Sequence, residues 1–255
     1  MRAEWLRLRK SWFGYACVAG CAALTLAATM ANAGIMMMGN DSRWEGAPSW
    51  ALSPFEAYGL ASLSFGIVVV MAGWMITELV AGDCYSGSIK NLVQGSGGRR
   101  AYATMVVVFA CGMAALLVLV GIVCAEVGCW FEGVALQAVS LGERALWYVQ
   151  AVSCVAAYAV VTAWAVAATG SRMTGMALAL LLGTGLLNTL LAAALESVGV
   201  LAPASGRYVP GSLGACLHSL QEGVLPGWNW IIPVAVVFGV GTFGIVRALA
   251  RKGLA

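Results

Sequence analysis

Residues 101–125 read AYATMVVVFACGMAALLVLVGIVCA, an apolar stretch without a single charged side chain. A helix rises about 1.5 Å per residue, so such a run covers the roughly 30 Å hydrocarbon core of a bilayer. Apolar and polar residues do not alternate along it, which argues against a strand of a transmembrane barrel. This stretch sets the class to look for in the rest of the chain: an all-α membrane protein.

Working outward, comparable runs lie at about 12–34, 55–77, 147–168, 173–195 and 231–249. Together they predict six spans in a single domain, 1–255. The composition agrees: 61% of residues are hydrophobic and 10% charged, with a mean hydropathy of +0.88. A soluble domain carries about 25% charged residues. Pro54 suits the first turn of the second helix. Thr169-Gly170-Ser171-Arg172 leaves only a tight turn between spans 4 and 5. Ahead of span 1, Trp5, Leu8 and Trp12 share one helical face while Arg2 and Arg9 share another, which predicts an interfacial helix over about 2–11. Ala31-Asn32-Ala33 has the form of a signal-peptide cleavage site, but the apolar stretch before it is longer than the roughly 7–15 residues of a signal core, so a retained span is expected.

Charge gives the orientation. Arg2, Arg7, Arg9, Lys10, Lys90, Arg99, Arg100, Arg172, Arg247, Arg251 and Lys252 fall on one side of the six-span map; Arg43, Arg144 and Arg207 fall on the other. Basic connections stay in the cytoplasm, so both termini are expected there, with the plasma membrane as the location.

Several chemistries are unsupported. No Gly-x-x-x-x-Gly-Lys-[Ser/Thr] occurs, so the chain is not expected to hold ATP phosphates itself. There is no His-Glu-x-x-His, and His218 is the sole histidine, in a connection rather than a span, so neither a zinc protease nor an intramembrane serine protease is expected. The eight cysteines are scattered, without a Cys-x-x-Cys pair or a Cys/His cluster, so no metal site is expected. Cys129 and Cys216 both map to predicted external segments, where a disulfide stays open. Met36-Met37-Met38 reads as interface packing. Nothing points to nucleic acid.

The connection after span 2 carries the most distinctive pattern: Asp83-Cys84-Tyr85-Ser86-Gly87-Ser88-Ile89-Lys90-Asn91-Leu92, followed by Gly98-Arg99-Arg100 and preceded by Glu78. It resembles the loop between spans two and three of ABC-2 type transporter permeases: an acidic residue, a Gly-Thr-Ile-Lys-Asn-Leu-like stretch, then Ser-Arg. Ser88 stands where that family has Thr, and Gly98 where it has Ser. The resemblance implies a cytoplasmic coupling helix that docks on separate ATPase subunits, with ATP and Mg bound there. Glu78, Asp83, Gly87, Ser88, Ile89, Lys90, Asn91, Leu92 and Arg99 would form this coupling segment, Ile89 and Leu92 entering an apolar groove. It also implies a second permease copy or homologue as partner. Short re-entrant helices would lie in the external connection Glu196–Trp230, with Gly211, Leu213, Leu217 and His218 as an external gate.

Within the spans, Thr184 and Asn188 are the polar residues placed to line a pathway, Asn188 alternatively as an interhelical hydrogen bond. Glu56 and Glu126 sit at external span ends, and Trp228 and Trp230 in the aromatic belt at the start of span 6. The small size resembles permeases that expel antimicrobial peptides such as lantibiotics and bacitracin. The function expected is therefore the membrane subunit of an ATP-driven exporter of an amphiphile. A non-transporting membrane scaffold or regulator is the alternative from another class; co-purification with an ATPase separates the two.

Overall fold

The computed structural model describes residues 12–38, 52–63, 66–87, 98–198, 209 and 211–251, for 33–38 the backbone alone. Helices α1 (Trp12–Met38), α3 (Ile67–Ser86), α4 (Gly98–Phe131), α5 (Leu141–Thr169) and α9 (Ile231–Arg251) are each long and apolar enough to cross a membrane. A further pair, α6 (Arg172–Gly183) and α7 (Leu186–Ser197), is bent by 67° at the break between them and forms either one broken span or a re-entrant loop. Two short helices complete the set: α2 (Pro54–Tyr58), running on into a π-helical turn at Gly59–Leu63, and α8 (Leu213–Gln221). A single parallel bridge joins Leu52 to Leu136; among the described residues there is no strand.

Local chemistry fixes the element ends. Ser140 caps α5 in a reciprocal box with Glu143, and Ser171 and Ser212 accept from Thr174 and Ala215 at the starts of α6 and α8. Gly170, in the left-handed region, lets the chain reverse between α5 and α6 within two residues.

Helix α5 is the hub. It packs on α3, α4, α6, α8 and α9, and its Trp147, Ala151, Cys154, Val155, Tyr158 and Val166 are buried. Small residues allow the close approaches, as expected where lipid supplies no hydrophobic drive between helices. On α1, Cys17, Cys21, Thr25 and Thr29 recur at four-residue spacing and are buried, and α1 packs on α4, where Gly128 lies against Thr29. Large apolar side chains such as Leu119, Val123, Ile232, Val236 and Phe243 face outward. Trp12 at the start of α1, Trp130 and Phe131 at the end of α4, and Trp228 before α9 are strongly exposed and suit the interfacial belts.

The sequence map needs two corrections. The span expected over 55–77 is not one helix: α2 and the π turn come first, Gly66 adopts a left-handed conformation (φ 65°), and the spanning helix runs Ile67–Ser86. The span expected over 173–195 is broken at Thr184-Gly185, Gly185 being left-handed (φ 71°). A single glycine in this conformation interrupts the helical ladder while the composition stays apolar, and hydropathy does not register it. Helices cover the other expected spans and extend beyond their apolar cores, and α1 passes unbroken through Ala31-Asn32-Ala33. Cys129 and Cys216 lie on helices, buried, as free thiols. The predicted interfacial helix (about 2–11) and the side chains of Met36–Met38 lie outside the described residues.

Candidate functional site

The two breaks meet. A Cβ on Gly66 would collide with the backbone carbonyl of Gly183, and one on Gly183 would come within 2.5 Å of the Val70 side chain. Only glycines permit this backbone-on-backbone approach. Breaking a helix frees carbonyls and amides that lipid cannot satisfy, so irregular backbone at membrane depth must be covered by protein or line a polar cavity.

Helix α8 supplies the cover. Gln221 donates its side-chain amide to the Leu63 carbonyl at the end of the π turn (2.8 Å). Gly59 sits so close to the carbonyls of Leu220 and Gln221 that a side chain there would overlap them. At the other end of α8, Gly214 lies against the Asn188 amide, which donates to the Tyr158 hydroxyl (3.1 Å).

Between these elements is a cavity of about 110 Å³, lined by Leu182, Gly183, Thr184, Gly185, Asn188, Gly214, Leu217, His218 and Gln221. It has room for several water molecules, and its hydroxyl, amide and imidazole groups can hydrogen-bond them. Thr184 donates its hydroxyl to the Leu180 carbonyl, and His218 Nε2 lies 3.2 Å from Glu222 Oε1. Of the residues expected on a pathway or gate, Thr184, Asn188, Leu217 and His218 are thus brought together. Leu213 is buried elsewhere in the core, and Gly211 forms the left-handed turn before α8; neither lines the cavity. Gly183, Gly185, Gly214 and Gln221 were missed. The Gly183-Thr184-Gly185 triplet inside an apolar run is the signal that could have found the break.

The expected coupling residues are distributed otherwise. Glu78 and Asp83 belong to α3, not to a loop. Glu78 pairs with Arg172 Nη2 (3.2 Å), and the Arg172 guanidinium lies 5.3 Å from the centre of the Tyr85 ring. Asp83 is fully buried and accepts from the Tyr102 hydroxyl (3.1 Å). Gly87 ends α3 in a left-handed conformation, and Arg99 lies in the first turn of α4. Ser88, Ile89, Lys90, Asn91 and Leu92 lie outside the described residues.

At the opposite end of the bundle, Glu126 accepts from both Tyr58 and Arg144, the latter at 3.1 Å. Glu56 is exposed.

Among the described residues no cluster of three metal-ligating side chains occurs. The fold and cavity define an all-helical, multi-pass membrane-type protein with two interrupted helices. Comparison with family models, curated proteins and solved structures finds no match.

Proposed function

We propose that the chain is the membrane-spanning permease subunit of an ATP-driven exporter of the ABC-2 type, working in the plasma membrane with separate ATPase subunits and a second permease. Its substrate is an amphiphile of the antimicrobial-peptide kind. The observation that carries this reading is the cavity where the two interrupted helices meet under α8. Thr184 and Asn188 from one break and Leu217 and His218 from the capping helix line a single polar space. Transporters use interrupted helices in this way, because the freed backbone groups and their polar partners can contact a solute in the bilayer.

The motif Gly87–Leu92 supports the ATPase partner. It begins where Gly87 terminates α3, so a subunit seated on it would push directly on a spanning helix. ATP would bind and be hydrolysed in that partner; this chain contributes the docking segment and the path.

The test is Ile89→Asp in the co-expressed complex. A charge placed in an apolar docking groove is expected to cost about 2–4 kcal/mol of docking. Membrane abundance should hold, while ATPase co-purification and transport are lost. Full complex recovery from this variant would remove the docking role, and a chain that captures no ATPase in its wild-type form would favour the scaffold alternative.

A further inference from the structure

Helices α3 and α6 form one continuous antiparallel seam. Along it Gly66 meets Gly183, Gly73 meets Ala179 (a Cβ on Gly73 would come within 2.6 Å of the Ala179 Cβ), Gly175 meets Thr77, and Trp74 Nε1 donates to the Met176 carbonyl at 3.2 Å. At the far end the seam closes on Arg172, paired with Glu78 at 3.2 Å and stacked over Tyr85 at 5.3 Å. Tyr85 is next to the last residue of α3, immediately before the Gly87–Gly98 connection. The other end of α6 is the break at Thr184-Gly185, on the wall of the cavity.

We infer that Arg172 is a positioning residue that locks the end of α3 to α6, so that a displacement of that end of α3 is delivered to the broken helix and the cavity. The inference rests on the transporter reading for the source of that displacement. Arg172 is suited to the role because it binds both a carboxylate and an aromatic face of α3 while standing at the first position of α6. Its pair is partly solvent-exposed, 45% and 27% for the two side chains, so it contributes little to overall stability. The glycine contacts hold the seam; Arg172 governs whether its two helices slide.

The readout is the labelling rate of Thr184→Cys by a water-soluble maleimide, in a chain whose eight cysteines are replaced and whose thermal unfolding matches the wild type. In the complex with its ATPase, ATP plus vanadate is expected to change that rate about 5-fold or more. Arg172→Ala should abolish the change while the ATPase stays bound and hydrolyses ATP. The swap Glu78→Arg with Arg172→Glu should restore it in part; a merely structural arginine would instead lower abundance, with no rescue. An undiminished ATP response in Arg172→Ala overturns the inference.

A second arm needs no partner. In the lone chain in lipid nanodiscs, Tyr85→Ala should shift the labelling rate at 184, and Arg172→Ala should erase that shift. If no ATPase co-purifies yet this dependence appears, the lock stands and the exporter reading falls. If the shift persists without Arg172, or never appears, the lock falls whatever the partner arm shows.

Discussion

A hydrogen in place of a methyl group decides how the two interrupted helices touch. Gly66 is left-handed and its α-carbon rests against the Gly183 carbonyl, so an added Cβ would meet both backbone strain and backbone atoms that cannot rotate away. Gly66→Ala is expected to destabilise the protein by about 3 kcal/mol, from left-handed strain plus overpacking. Gly82 provides the internal control: it sits inside α3 with nothing within 4 Å of the position a Cβ would take, so Gly82→Ala should be neutral or stabilise by about 0.5–1 kcal/mol. Thermal unfolding of both variants in the same detergent checks the pair, and equal behaviour would contradict the close approach.

At the scale of elements, α7 differs from its neighbours. Only Ala192 is buried along it, while Leu186, Leu187, Leu190 and Leu191 face outward. The bend thus leaves α7 tied to the bundle through Asn188 while its leucines turn outward, with a polar space beside Thr184 and Asn188. In a cysteine-free background, Thr184→Cys and Asn188→Cys are expected to react with a water-soluble thiol reagent, whereas Ala179→Cys, buried against α3, should stay protected. Equal protection at all three would mean a dry break. The six apolar runs and the turn at Gly170 were legible because hydrophobic length and turn chemistry are written locally. The breaks were not read: Gly66 is one glycine among 32 and acts through its conformation, and only the Gly183-Thr184-Gly185 triplet marks the other break locally. Asn188 was found as an isolated polar residue in an apolar span, and His218 through the resemblance of its connection to the re-entrant helices of ABC-2 type permeases. Their meeting depends on how α8 folds back, a long-range contact that no local pattern encodes. Glu78 and Asp83 were misplaced in a loop because acidic residues suggest a span end; Arg172 and Tyr102 accommodate them within or beside the helix.

For the whole molecule, side-chain contacts sort described charged residues between the two ends of the bundle. The Arg172 contacts with Glu78 and Tyr85 put the end of α3 and the α5–α6 turn at one end of the bundle, and Arg144 joins Glu126 and Tyr58 at the other. If the Lys/Arg-rich end follows the positive-inside rule, cysteines placed at Arg172 and Gly87 should resist a membrane-impermeant reagent applied to intact cells. A cysteine at Leu141, 84% exposed, should be labelled. The reverse pattern would invert the topology. The hydrogen bond from Gln221 to the Leu63 carbonyl has a further consequence, for the order of synthesis. Its partners are 158 positions apart, so at ribosomal rates the carbonyl waits on the order of ten to thirty seconds for its donor. The break before α3 is sealed by a helix made well after it. A nascent chain halted before α8 holds that carbonyl without its Gln221 donor.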